Sequence, residues 1–274
     1  MKQRVITAII LGIVAIPFCI FSNTVAFPIV WALLGVVGVY ELLGCMGTRN
    51  NLFISIPLYI LGAVTPFGVW YNTVLTYFGQ GYTPIIFLLV GALYLLAVWV
   101  FSYQKNQQID MNKVITSAIV SLYIIGACSS VVMLRNVNGG QYYWYFIFIG
   151  AWVTDTFAYF TGMLFGKHKL ISAVSPKKTI EGSIGGTVFC VALFVVYGAI
   201  LNNVTDYHLS LWVVAVAGLL SALVSQIGDL AMSVIKRTYG IKDYGKIFPG
   251  HGGVLDRFDS ILAVSIVMIL FLVW

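Results

Sequence analysis

"LWVVAVAGLLSALVSQIGDLAMSVIKR", residues 211–237, decides the fold. Its first eighteen residues carry no charge, long enough at helical rise to cross most of a bilayer's hydrocarbon core. Asp229 then sits inside the apolar run, and Lys236 and Arg237 close it. Runs of this kind recur along the whole chain. Apolar residues make up 60% of the sequence and charged residues 9%, where soluble domains carry about 25% charged. No long polar domain interrupts them. The sequence predicts an all-α, polytopic integral membrane protein, embedded in the lipid bilayer and with no nucleic-acid partner.

Breaks in apolarity predict nine spans, at roughly 5–22, 25–46, 52–72, 83–103, 114–134, 142–164, 180–201, 210–235 and 256–274. The start, "MKQRVITAIILGIVAIPFCIF", has the cations and apolar run of a signal peptide but no small-x-small cleavage site, so a retained first helix is expected. A cytoplasmic N-terminus puts fourteen of the fifteen Lys and Arg residues on the cytoplasmic side and only Arg135 outside, as the positive-inside rule requires. Cys19, Cys45, Cys128 and Cys190 are scattered singly and suggest helix packing, not a metal or disulfide framework.

Residues 233–260 hold eight of the chain's 24 charges. The first half carries one or two cations per cytoplasmic segment; the loop 165–179 carries four, and the loop 236–256 together with Arg257 carries five. Asp155, Glu181, Asp229, Asp243, Asp256 and Asp259 also lie after residue 150. The chain thus divides into scaffold helices (1–140) and a catalytic region (141–274).

Asp155 and Asp229 fall inside predicted spans, where a carboxylate costs at least about 2.5–3.5 kcal/mol at the bilayer centre and marks function or a polar helix contact. Asp256 and Asp259, three residues apart, share a helix face at the mouth of the ninth span. Carboxylates converging with basic loops suit magnesium and phosphate, because Mg²⁺ takes oxygen ligands and is commonly held by one or two carboxylates plus substrate phosphates. A self-neutralising acid-base network is the plainer alternative. "FPGHGG" (248–253) cannot be helical, and its glycines let backbone N–H groups turn toward an anion. "SPKKTIEGSIGG" (175–186) repeats the recipe; Pro176 is placed to open a helical turn, with Lys177 and Lys178 at the membrane surface. Lys167 and Lys169 serve equally well as anchors for anionic headgroups. "GMLFGKH" (162–168) echoes a P-loop, but its glycine spacing is one short and His follows the Lys, so it is set aside.

Ser233-x-x-Lys236-Arg237, Lys242-Asp243 and "PGHGGVLDRFD" closely resemble the signature of the phosphatidate cytidylyltransferases, also called CDP-diacylglycerol synthases. "WVTDTFAYFTGMLFGKHK", "SPKKTIEGSIGG" and "GDLAMSVIKR" look like that family's other blocks, in the same order. The resemblance covers about residues 150–260; the N-terminal helices match only in kind. It implies that CTP and phosphatidate give CDP-diacylglycerol and pyrophosphate, with Mg²⁺ and a monovalent cation such as K⁺ as cofactors, and it fits a homodimer. Compact length and short loops suit a bacterial inner membrane.

On this reading Asp229 and Asp256 are expected to ligate metal, with Asp155 and Asp259 supporting the metal or orienting a lysine. Lys236, Arg237 and Lys242, followed by Asp243, form the triphosphate-binding run. Lys177 and Lys178 stand at the phosphatidate or pyrophosphate end with Glu181. His251, Gly250, Gly252 and Gly253 shape the nucleotide loop, flanked by Ser233 and Arg257. A CTP-dependent polyprenol kinase is the nearest alternative. A cation-coupled transporter is a second, disfavoured because no internal repeat is visible.

Overall fold

The structure, a computed structural model, describes residues 17, 19–75, 110–172 and 174–272. Its contacts divide the chain into two units, 1–136 and 137–274. In the first unit, α1 (Ala26–Met46), α2 (Leu52–Leu75) and α3 (Met111–Asn136) pack against one another. Trp31, Leu42, Leu43, Leu58, Ile124 and Leu134 are fully buried between them. The end of α1 is set by Gly47, whose φ of 72° lets its N–H reach the Gly44 carbonyl while Thr48 N donates to Leu43. Pro57 and Pro66 lie inside α2, as membrane helices tolerate.

The second unit opens with short helices α4 (Gly140–Tyr143) and α5 (Tyr145–Phe148), a π-helical turn (Ile149–Val153) and α6 (Thr154–Phe165). Together these span Gly140–Phe165. A two-stranded antiparallel hairpin follows, β1 (Lys169–Ile171) and β2 (Ser175–Thr179), with Lys169 opposite Thr179. Then come α7 (Ile180–Val204), α8 (Leu211–Thr238) and α9 (Leu255–Leu272). α6 packs on α7, α7 on α8, and α8 on α9. Glycines make the first of these contacts close. A Cβ at Gly182 would lie 2.6 Å from the Ala158 carbonyl oxygen, and one at Gly186 equally near that of Thr154. Only glycine permits that approach.

Among the described residues, six helical segments are long and apolar enough to cross a membrane: Ala26–Met46, Leu52–Tyr71, Asn112–Asn136, Gly140–Phe165, Ile180–Val204 and Leu211–Thr238. The protein is an all-α polytopic membrane protein. The span expected at 83–103, and 5–22 up to its last residues, lie outside the described residues. The segment expected at 256–274 appears as α9, apolar beyond its first five residues, which carry Asp256, Arg257 and Asp259. None of the four cysteines is in a disulfide, and Cys128 and Cys190 are buried.

One expectation is corrected. Pro176 does not open a helix but lies in β2. The helix starts at Ile180, because the Thr179 side chain accepts from Gly182 N (3.1 Å) and so caps α7 there. In a two-stranded hairpin each strand has a free edge, which is where proline is tolerated.

Candidate active site

Helix α8 supplies the spine of the site. Asp229, Ser233 and Lys236 recur at i, i+4 and i+7, so one stripe of the helix carries all three. Ser233 Oγ donates to Asp229 Oδ1 at 3.4 Å. The other oxygen of Asp229 pairs with the ammonium of Lys178, which arrives from the end of β2. Both partners of this pair remain about a quarter open to solvent, at 28% for Lys178 and 25% for Asp229.

Two turns further along, Lys236 Nζ donates to Asp256 Oδ1 at 2.8 Å. This pair is closed off, with side-chain exposures of 12% and 4%. Asp256 Oδ2 accepts two more hydrogen bonds, from Tyr244 N (2.8 Å) and Gly253 N (2.9 Å). Both oxygens of Asp256, expected to ligate metal beside Asp229, are therefore engaged by donors of its own chain.

Between α8 and α9 runs the glycine-rich loop. Gly240, with φ 67°, ends α8, its N–H bonding the Arg237 carbonyl while Ile241 N reaches Lys236 O at 2.9 Å. Phe248 N donates to Gly252 O (2.9 Å), and His251 N and Gly252 N both return to Phe248 O. Gly250 and Gly252 hold φ of 75° and 88°, and a Cβ at Gly252 would stand 2.8 Å from Asp256 Oδ2. Arg257 Nε donates to the His251 carbonyl at 2.7 Å, so α9 grips the loop through Arg257 and through Asp256. His251 Nδ1 is buried without a hydrogen-bond partner.

Two further carboxylates act on Asp229. Asp155 on α6 and Asp259 on α9 each interact electrostatically with Asp229 and with each other, while Lys178 acts on Asp155 and Lys236 on Asp259. Asp259 is buried and accepts from Ser260 N at 2.9 Å; Asp155 is exposed. With Asp256, four acids face the two lysines Lys178 and Lys236, which leaves an excess of negative charge. Among the described residues no three His, Cys, Asp or Glu side chains converge into a ready-made cage. The donor set fits Mg²⁺ in its usual mode, with one or two carboxylates on the ion and the remaining ligands from water and phosphate.

The remaining expected residues are distributed as follows. Lys177, Arg237, Lys242 and Lys246 are exposed and make no ion pair among the described residues, as is Asp243. Gly250 is exposed and Gly253 buried. Glu181 stands apart from this cluster in its bonding. It accepts from Lys167 N, His168 N and His168 Nδ1, the last at 2.7 Å, and so ties the start of the hairpin to the N-terminus of α7. Its place in the first turn of a helix favours the negative charge. The sequence reading missed Tyr244 and Thr179. The cap at Thr179 had a signal in Glu181 two residues on, since acids concentrate in a helix's first turn; Tyr244 had none.

Apolar helices bearing paired lysines and aspartates beneath a glycine loop are the equipment of a membrane enzyme that handles phosphate groups at the bilayer surface. The chain belongs to the cytidylyltransferase family, whose family model matches residues 2–274. It is similar along nearly its full length to proteins named phosphatidate cytidylyltransferase. That of Staphylococcus haemolyticus is 31% identical over 268 residues, that of Staphylococcus saprophyticus 32% over 271, and that of Staphylococcus aureus 34% over 268. Each match covers 96% of this chain and 96% of the relative.

Proposed function

We propose that the protein is a phosphatidate cytidylyltransferase of a bacterial inner membrane, with its active site on the cytoplasmic face. An oxygen of the phosphatidate phosphate attacks the α-phosphorus of CTP. The bond from the α-phosphorus to the bridging oxygen breaks, pyrophosphate leaves, and CDP-diacylglycerol stays in the membrane. The observation that carries this reading is the stripe on α8, where Asp229 and Lys236 each hold an opposite charge below a loop ringed by exposed cations.

The nucleophile is already an anion, so little base catalysis is required. The two substrates are both strongly negative, and the site must hold them together. Lys236, Arg237 and Lys242 are placed to receive the triphosphate. Lys177 and Lys178 sit at the hairpin, between the ends of two membrane helices, where a lipid phosphate arrives. Asp229 is the carboxylate best suited to hold Mg²⁺, because beyond a long contact to Ser233 its partner is one part-exposed lysine that a metal and phosphate can replace. Asp155 and Asp259 support it, and a monovalent cation would use the same acids. When bound, Mg²⁺ offsets the charge of the phosphates and of the departing pyrophosphate. Asp256 closes the nucleotide loop. The family resemblance further implies a homodimer, which light scattering of detergent-solubilised protein measures.

The test uses purified protein, phosphatidate, Mg²⁺ and CTP labelled at the α-phosphorus. Label entering the lipid phase with an equal amount of pyrophosphate supports cytidylyl transfer. CDP formed on a polyprenol acceptor, with no label in lipid, would move the assignment to a lipid kinase.

A further inference from the structure

We propose that Tyr244 is a positioning residue that holds the glycine-rich loop and Lys236 in place for the nucleotide. The proposal rests on the reading that this loop and Lys236 receive the triphosphate of CTP. Tyr244 lies in a polar stretch whose neighbours Lys242, Asp243 and Lys246 are exposed, yet it is only 8% exposed itself.

Three of its contacts bear on the loop. The Tyr244 amide donates to Asp256 Oδ2 at 2.8 Å, and its hydroxyl donates to the Met232 carbonyl at 2.9 Å. Lys236 Nζ stands 5.4 Å from the centre of its ring, within range of a cation–π attraction. Tyr244 thus joins three elements: α8 through Met232 and Lys236, the loop through its own backbone, and α9 through Asp256.

The amide contact has a geometric consequence. Asp256 Oδ2 accepts from Tyr244 N and also from Gly253 N. One oxygen atom therefore clasps both ends of residues 245–252, the segment that holds Lys246, Gly250 and His251. A short loop with its ends drawn together is a compact unit packed by its own contacts. Any residue other than proline at position 244 could supply the amide. The hydroxyl and the ring are what fix where that base sits on α8, and the ring also borders the path of the Lys236 side chain. A tyrosine is required for the first and an aromatic for the second.

The test is steady-state kinetics of Tyr244→Phe, Tyr244→Leu and Lys236→Met in mixed micelles, with thermal unfolding recorded for each. Tyr244→Phe loses only the hydroxyl bond and is expected to raise KM for CTP about threefold. Tyr244→Leu also loses the ring beside Lys236 and is expected to raise it about tenfold. In both, kcat and KM for phosphatidate stay within about twofold, because a misplaced loop weakens nucleotide capture while assembled complexes still react. A purely structural role would reduce the folded fraction, lowering apparent kcat and leaving both KM values unchanged; that result overturns the proposal. So does an unchanged KM for CTP in both tyrosine variants when Lys236→Met raises it. If Lys236→Met itself leaves KM for CTP unchanged, the placement of the triphosphate on this loop is wrong, and the role of Tyr244 falls with it.

Discussion

Two aspartate–lysine pairs stand two turns apart on the same helix stripe, and they are built differently. Asp229 and Lys178 meet at a part-open edge, and Asp229 has one further, long contact to Ser233. Asp256 and Lys236 meet in the interior, where Asp256 also takes two backbone N–H groups. An exposed pair contributes about 0–1 kcal/mol and exchanges partners readily. A buried pair whose partner is removed leaves an uncompensated charge and loses about 3–5 kcal/mol. Chemically identical pairs therefore have opposite uses. The open pair is available to metal and the lipid phosphate, and the closed pair fixes Lys236 and the loop where they meet the nucleotide.

The largest expected effect comes from the open pair. Asp229→Asn is expected to lower turnover at least about a hundredfold, the scale of removing one group that faces developing charge. Its unfolding midpoint, followed by tryptophan fluorescence, stays near that of the parent. Asp256→Asn should do the reverse in stability, losing about 3 kcal/mol as Lys236 is left buried without its counter-charge. Adding Lys236→Met to that variant restores part of the loss, since the double change removes the stranded ammonium. If Asp256→Asn were as stable as the parent, the closed pair would not be the brace described here. The smallest effect belongs to Lys178→Met. Stability should change by less than about 0.5 kcal/mol, while activity falls about tenfold through weaker phosphate binding.

From the sequence, only Asp256 and Asp259 were placed on a common face. The stripe was equally open to reading, because a helix repeats every 3.6 residues and Asp229, Ser233 and Lys236 fall on one face by spacing alone. The membrane fold was legible for the same reason, in runs too long and too apolar for anything else. Partners were not. Lys236 lies twenty residues from Asp256 and Lys178 about fifty from Asp229, and nothing local tells which lysine each acid takes. Asp229 and Asp256 were expected to ligate metal as acids from different helices; that Asp256 also meets Lys236, Tyr244 N and Gly253 N could not be read there. Pro176 misled because proline serves a helix start and a free strand edge equally. The two N–H groups on Asp256 were hidden because they depend on how the glycines at 250 and 252 turn the chain. Tyr244 was hidden for the same reason.

The distinction between the open and the closed carboxylate is tested most directly with Mn²⁺ in place of Mg²⁺, its binding followed by electron paramagnetic resonance in the presence of CTP. Parent protein and Asp256→Asn, the latter held below its unfolding transition, should bind the ion with similar affinity. Asp229→Asn should bind it at least about tenfold more weakly, as expected on losing a metal ligand or its close support. Loss of Mn²⁺ binding in Asp256→Asn with retention in Asp229→Asn would contradict the account, and would make the closed carboxylate the metal ligand.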